Sequence, residues 1–204
     1  MTGLKIQRLT TDIFKNLNLE IDENGLYGLV GRNGIGKSTL FSILSKEIKI
    51  ASGEVSVGSV CYMPSLDIFD KNLTANDYAR LLKDKEQVAF NKNSELMGGA
   101  NFFNKSISTY SLGMKELFAF IFAISTQSDI LIFDELLDGL DEKKRHKALS
   151  ILAQYRSQKI ILLTSHNLTE VFQYCDLVYL LKENEVVKLN DASEFENTDM
   201  IDSK

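Results

Sequence analysis

The 204-residue chain has no tryptophan, a single proline, two cysteines and two histidines. Cys61 and Cys175 each lie beside an apolar run, so they read as buried thiols and supply neither a disulfide framework nor a zinc-ligand set. Long hydrophobic runs are also missing. The longest uninterrupted one, Leu117 to Ile124, is far short of the roughly 20 residues needed to cross a bilayer. No basic stretch followed by an apolar one opens the N-terminus, so no secretory signal is expected and the chain is expected in the cytosol. Positive charge is not in excess: the net charge is −5, which excludes the broad basic surface of a dedicated nucleic-acid binder. From Asn190 onward Asp191, Glu194, Glu196, Asp199 and Asp202 face Lys204 alone, and this tail of 191–204 is expected to be solvated. What the chain does have is 44% hydrophobic residues, enough to bury a core as one domain with room for an inserted subdomain.

Glycine is where the composition becomes specific. Residues 31 to 39 read Gly-Arg-Asn-Gly-Ile-Gly-Lys-Ser-Thr and fit G-x-x-x-x-G-K-[ST], a loop that cradles nucleotide phosphates. An apolar run (Leu26, Tyr27, Leu29, Val30) enters it as a buried strand would, and a helix-compatible run from Ser38 to Lys46 leaves it. Gly31, Gly34 and Gly36 allow turns that point backbone N–H groups into one concavity, to which the following helix adds its partial positive end. Lys37 is a point charge for β- and γ-phosphates, and the Ser38 hydroxyl is an oxygen ligand for Mg²⁺. The chain is expected to bind a nucleoside triphosphate.

Strands alternate with helices along most of the chain, which predicts a sheet covered by helices. Leu17, Leu19 and Ile21 alternate with Asn16, Asn18 and Glu20 as a half-exposed strand, closed by Asn24-Gly25. Val55 and Val57 continue the pattern, and Val60 to Met63 is a further strand ended by Pro64. From about Leu66 to Thr109 polar residues, a helix around Thr74 to Lys83 and Gly98-Gly99 predict a small helical insertion. A buried helix follows over Ser111 to Ser125. Ile130 to Phe133 and Ile160 to Leu163 fit central parallel strands, and Leu177 to Leu181 and Glu185 to Leu189 are the last two.

The run Ile130-Leu131-Ile132-Phe133-Asp134-Glu135 puts two carboxylates at the end of a buried strand, where an open α/β sheet binds ligand. Downstream of a phosphate loop, Asp134 suits a Mg²⁺ held through water and Glu135 an acceptor that polarises the attacking water. His166 follows Thr164-Ser165 at the end of the next buried strand and is expected to reach the γ-phosphate. His146 sits among Lys143, Lys144, Arg145 and Lys147, a cluster expected to be a solvated helix face.

With these segments in this order, the chain resembles the nucleotide-binding subunits of ABC transporters over residues 3 to about 190. Tyr110-Ser111-Leu112-Gly113-Met114-Lys115 is similar to that family's signature, Gly139-Leu140-Asp141 stands at its D-loop and His166 at its switch histidine. The resemblance implies an α/β fold: a P-loop NTPase core with a mostly parallel central sheet, an N-terminal antiparallel β part and a small helical subdomain. It implies one ATPase domain over 1–190, with its core in 1–65 and 110–190 and a reduced helical subdomain at about 66–109. ATP and Mg²⁺ are the implied ligands. Catalysis would fall to Glu135, His166 and Lys37, and the metal to Ser38 and Asp134. ATP would be held by Gly31, Asn33, Gly34, Gly36, Lys37, Ser38, Thr39, Ser111, Gly113 and Asp141. Such subunits pair head to tail, as a homodimer or heterodimer, each ATP lying between one phosphate loop and the other chain's signature. A membrane permease on a separate chain would be the partner, placing the subunit at the inner face of the cell membrane.

The signature variant and Asn72-Leu73-Thr74 are most similar to ATPases that serve small bacterial exporter permeases. Several positions depart from the family. Ser65 stands where a glutamine is usual, and Leu136 where a proline is usual. No aromatic residue for stacking adenine occurs near Leu9 to Asp12, and Phe14 sits where a strand begins, so base selectivity is expected to be weak. A soluble ABC protein acting on ribosomes or chromosomes is the alternative, but the chain has one cassette and no heptads.

Overall fold

A computed structural model of the protein describes residues 3–195. In chain order the elements are strands β1 (Leu4–Thr10), β2 (Leu17–Ile21) and β3 (Gly25–Val30), helix α1 (Lys37–Leu44), strands β4 (Ser52–Val57) and β5 (Val60–Tyr62), and helices α2 (Ala75–Ala79), α3 (Asp84–Met97) and α4 (Leu112–Ser125). Strand β6 (Ile130–Asp134), helix α5 (Glu142–Tyr155), strand β7 (Ile160–Thr164), helix α6 (Leu168–Tyr174) and strands β8 (Leu177–Leu181) and β9 (Val186–Leu189) follow.

Two sheets form. The smaller is antiparallel with order β2-β1-β4; the larger has order β5-β6-β7-β3-β8-β9. All pairings in the larger sheet are parallel except β8 with β9. β2 is buried at Leu17, Leu19 and Ile21 and exposed between them, as its alternation predicts. The central strands are continuously apolar because both faces are covered. On β6, Ile130 and Ile132 pack with α1 and the smaller sheet, whereas Leu131 and Phe133 pack with α4 and α5. A third cluster joins Val30, Val178 and Leu180 to Val171 of α6.

Three differences from the sequence expectations have identifiable causes. The helix expected over Thr74 to Lys83 is shorter, Ala75–Ala79, and starts with a capping box in which the Thr74 side chain accepts from Asp77 N. The longer helix of this region, α3, has no clean apolar stripe, since Glu86, Asn93 and Ser94 are buried beside Phe90 and Met97. Its polar groups are satisfied internally: Asn93 Nδ2 donates to Ser125 Oγ at 3.1 Å and Ser94 Oγ to Phe90 O at 2.6 Å. The basic cluster on α5 is only partly a solvated face, because the Arg145 Nε–H is shared between the two carboxylate oxygens of buried Glu170 at 3.1 and 2.9 Å.

α4 is the central helix of the helical side. Ser111 caps its start, its oxygen accepting from Met114 N at 3.3 Å, and Ser125 at its end is the partner of Asn93. Phe118 lies among Phe69, Phe90, Phe103 and Phe122 with ring centroids 4.6–6.4 Å apart. Of the acidic tail, Asp191 and Glu194 are described: Asn190 N donates to Glu194 Oε2 at 2.9 Å, and Phe195 packs against the α6 cluster. Glu196, Asp199 and Asp202 lie outside the described residues.

Candidate active site

The order β6-β7-β3 brings three strand ends to one sheet edge, and the loops that leave them carry the candidate residues. The loop after β3 turns into α1 through Gly36, which caps the helix at φ 109°. A Cβ at Gly36 would lie 2.8 Å from Cζ of buried Phe14, so glycine is needed there for both conformation and room. Gly34 differs, with φ 80° and nothing within 4 Å of a Cβ, so only its backbone conformation asks for glycine. Lys37 Nζ donates to the carbonyls of Gly31 and Arg32 at 2.9 and 3.3 Å, holding its charge over the loop.

The end of β6 is a hub of oxygens. Asp134 Oδ2 accepts from Ser38 Oγ at 2.6 Å and from the Tyr62 hydroxyl at 3.3 Å, and Oδ1 accepts from Thr164 Oγ1 at 2.8 Å. Thr164, only 2% exposed, in turn accepts through Oγ1 from the Glu135 amide at 2.9 Å. Burial, followed by the Asp134 carboxylate, pushes the Tyr62 phenol well above its ordinary range, so Tyr62 stays a neutral donor. Glu135 has φ 54°, a left-handed conformation uncommon for a residue with a side chain, held by its amide's bonds to Thr164. Its carboxylate extends to 3.2 Å from His166 Nε2, both side chains being solvent-accessible.

His166 is itself placed by Asp138. Asp138 Oδ1 accepts from Ser165 Oγ at 2.6 Å and Oδ2 from His166 N at 3.0 Å. One cleft is lined by Asn33, Gly34, Gly36, Lys37, Ser38, Thr39, Glu135 and His166. A neighbouring cleft adds Gly31, Arg32, Thr164, Ser165 and Phe195. Backbone donors, one ammonium and an acceptor carboxylate thus converge where a polyphosphate could lie.

Ser111 and Gly113 line neither of these clefts. Ser111 is exposed at the start of α4, beside an exposed Leu112. Asp141 caps α5: its carboxylate accepts from Lys144 N at 2.9 Å and pairs with Lys144 Nζ at 2.8 Å. Ser65 begins a short 3₁₀ turn, its hydroxyl accepting from Asp67 N at 3.1 Å. Phe14 is fully buried and presents no stacking face; the exposed side chain beside Gly36 is aliphatic Ile13. Three residues of the site were not singled out by the sequence. Tyr62 and Thr164 reach Asp134 through sheet neighbours, and the only signal for Asp138 is a third acid close behind Asp134-Glu135.

The sequence profile described as "ABC transporter" matches residues 14–138. The chain is similar to the teichoic acids export ATP-binding protein TagH of Shouchella clausii (strain KSM-K16), 31% identical over 191 residues, covering 88% of this chain and 52% of that one. It is also similar to the lantibiotic transport ATP-binding protein SrtF of Streptococcus pyogenes, 28% identical over 215 residues, covering 94% of this chain and 93% of the relative. The chain spans about half the length of the TagH relatives it matches. Among solved structures, one described as an ATP binding subunit of an ABC transporter superposes with a TM-score of 0.85 at 20% identity, covering 97% of this chain and 93% of that one.

Proposed function

The chain belongs to the ABC transporter family, and from that premise we propose that it binds and hydrolyses ATP with Mg²⁺ to drive a separate membrane exporter. The observation that carries the reading is the cleft that unites Lys37, Ser38, Glu135 and His166. The relatives TagH and SrtF, an export and a transport ATP-binding protein, favour export over a role on ribosomes or chromosomes.

In this reading the loop amides and the Lys37 ammonium bind the β- and γ-phosphates. The Ser38 hydroxyl and Asp134 carboxylate, 2.6 Å apart, are the hard oxygen donors that suit Mg²⁺, an ion that takes few protein ligands and keeps several waters. Bound there, the ion would supply charge neutralisation between the phosphates. The Glu135 carboxylate accepts a proton from the attacking water, and its strained backbone fixes where that acceptor stands. His166 Nε2 stands 3.2 Å from the Glu135 carboxylate and, with ATP in place, would turn its one N–H to the γ-phosphate oxygen.

The exposed Ser111 at the start of α4, which lines neither of the chain's own clefts, serves the ATP held by another subunit, together with the Gly113 amide. The working unit is then a pair of subunits, alike or different, closed over two ATP. Residues 1–190 act as one cassette, with 66–109 as its helical subdomain. Ile68, Leu81 and Val88, exposed apolar side chains in that region, offer contact to a permease at the inner membrane face.

Glu135→Gln tests the scheme. The variant should bind ATP, lose hydrolysis by about 10²–10⁴-fold, and accumulate an ATP-dependent dimer on size-exclusion chromatography. Lys37→Ala should weaken ATP binding by about tenfold or more, the worth of a charge-assisted contact. A Glu135→Gln protein that stays monomeric at high ATP would sink the paired arrangement, and undiminished ATP affinity in Lys37→Ala would sink the phosphate-loop assignment.

A further inference from the structure

One buried acid has no task in that scheme. Glu116 lies on α4, is 6% exposed, and its Oε2 has no hydrogen-bond partner among the described residues. An ionised carboxylate is costly in such a place, because no partner replaces the water that Oε2 loses. Its neighbour is the loop that leaves β6. Both carboxylate oxygens press on Gly139, where a Cβ would overlap them, and a Cβ at Gly113 would lie 3.1 Å from Gly139 O. Helix and loop therefore meet without slack, side chain to backbone.

The electrostatics of the contact are one-sided. Burial first and the Asp138 carboxylate second push the Glu116 carboxyl up to about 7, against the opposing pull of the Gly139 backbone amide. Asp138, next to Gly139 in the loop after β6, is the charged group that acts on Glu116 from that loop. No cation is paired with it from α3, β6 or its own helix among the described residues. Asp138 is also committed elsewhere, accepting from the Ser165 hydroxyl and the His166 amide, and His166 stands 3.2 Å from Glu135. A path thus runs from Glu116 on α4 to the backbone of Gly139, through the chain to its neighbour Asp138, and on through Ser165 and His166 to Glu135.

We propose that Glu116 is a positioning residue whose protonation state sets the seat of Asp138 and, through Ser165 and His166, the alignment of Glu135. Neutral, it lets the Asp138–Gly139 turn close on α4. Ionised, it repels Asp138 and loosens the His166 segment, so hydrolysis responds to pH from a residue that touches no nucleotide. The inference rests on the hydrolytic role of Glu135 and His166 proposed above.

Two measurements on the full chain test it. The first compares Mg²⁺-ATP hydrolysis by wild type, Glu116→Gln and Glu116→Met from about pH 6 to about pH 8.5, a span that brackets the group's titration. The ratio of kcat in either variant to kcat in wild type should rise by about threefold or more across that range, with KM little changed, as a coupling between contacting networks predicts. The second follows the His166 backbone amide by NMR, since that N–H donates to Asp138. Wild type should show an inflection near pH 7 over and above any that the two variants share with it. Hydrolysis with a pH-independent ratio overturns the proposal, as does an amide titration identical in all three proteins. The expected amide inflection without hydrolysis at any pH instead overturns the ATPase reading and leaves the Glu116–Asp138 coupling standing.

Discussion

Ser38 and Asp134, separated by 96 positions in the chain, share a hydrogen bond of 2.6 Å in which the hydroxyl donates to Oδ2. The bond ties the first turn of α1 to the end of β6. The same carboxylate accepts from Thr164 at the end of β7 through its other oxygen. One side chain thereby registers three adjacent segments against each other.

Replacing Asp134 by asparagine keeps the shape of this hub and removes its charge. ATP affinity measured in EDTA should hardly change, while the gain on adding Mg²⁺ should shrink by about tenfold, the loss expected when a charged partner becomes neutral. An undiminished Mg²⁺ effect would remove Asp134 from the metal site.

Thr164→Val should be felt in both stability and rate. The valine is close in volume, but it leaves Asp134 Oδ1 without its donor and the Glu135 amide without its side-chain acceptor in a site 2% exposed. Urea unfolding should show a loss of about 1–3 kcal/mol, together with a fall in kcat, and Thr164→Ser should recover most of both.

Alanine at Gly36 and at Gly34 should differ. At Gly36 the new Cβ meets the buried Phe14 ring and the backbone is left-handed, so a packing cost of about 1–3 kcal/mol adds to the conformational one. At Gly34 space is free and the penalty is conformational only, about 1–2 kcal/mol. The difference is read from urea midpoints in the absence of nucleotide, and equal losses would contradict the packing described for Gly36.

Glu116 also makes a prediction for folding. Its carboxyl stands at about 7 in the native protein against an ordinary 4.5, so between those values the folded chain holds a proton that the unfolded chain releases. Stability should therefore fall as pH rises through that window. Glu116→Gln removes the titration, so its stability relative to wild type should climb from about pH 4.5 to above pH 7 by up to roughly 3 kcal/mol. Thermal or urea unfolding across that range decides it, and a pH-independent difference would show that the acid does not titrate as described.

Much of this was legible because it is local. The loop from Gly31 to Thr39 writes its geometry in contiguous residues, and the alternation of Leu17, Leu19 and Ile21 is the sheet face itself. Strand ends could be read as well, since Ile130–Phe133 and Ile160–Leu163 are covered on both sides. α3 was not legible, because its buried face includes Asn93 and Ser94, whose hydrogen bonds stand in for apolar contact. Thr164 was passed over for a different reason. It meets Asp134 only because β7 pairs with β6 in the register Asp134 to Thr164, which no single segment encodes. Arg145 was similarly hidden by its basic neighbours, its partner Glu170 lying on another helix.

The buried rod α4 has a mechanical consequence. Its 14 residues span about 21 Å. The rings around Phe118 leave it little room to bend, its far end is fastened to α3 through Asn93 and Ser125, and its near end carries Ser111. A force applied to the outer surface of α3 then enters α4 through the Asn93–Ser125 bond and runs along the helix to the turn at Ser111. Whatever leans on the helical side of the molecule works the turn at Ser111 as a hand works the tip of a lever, from the far end of α4.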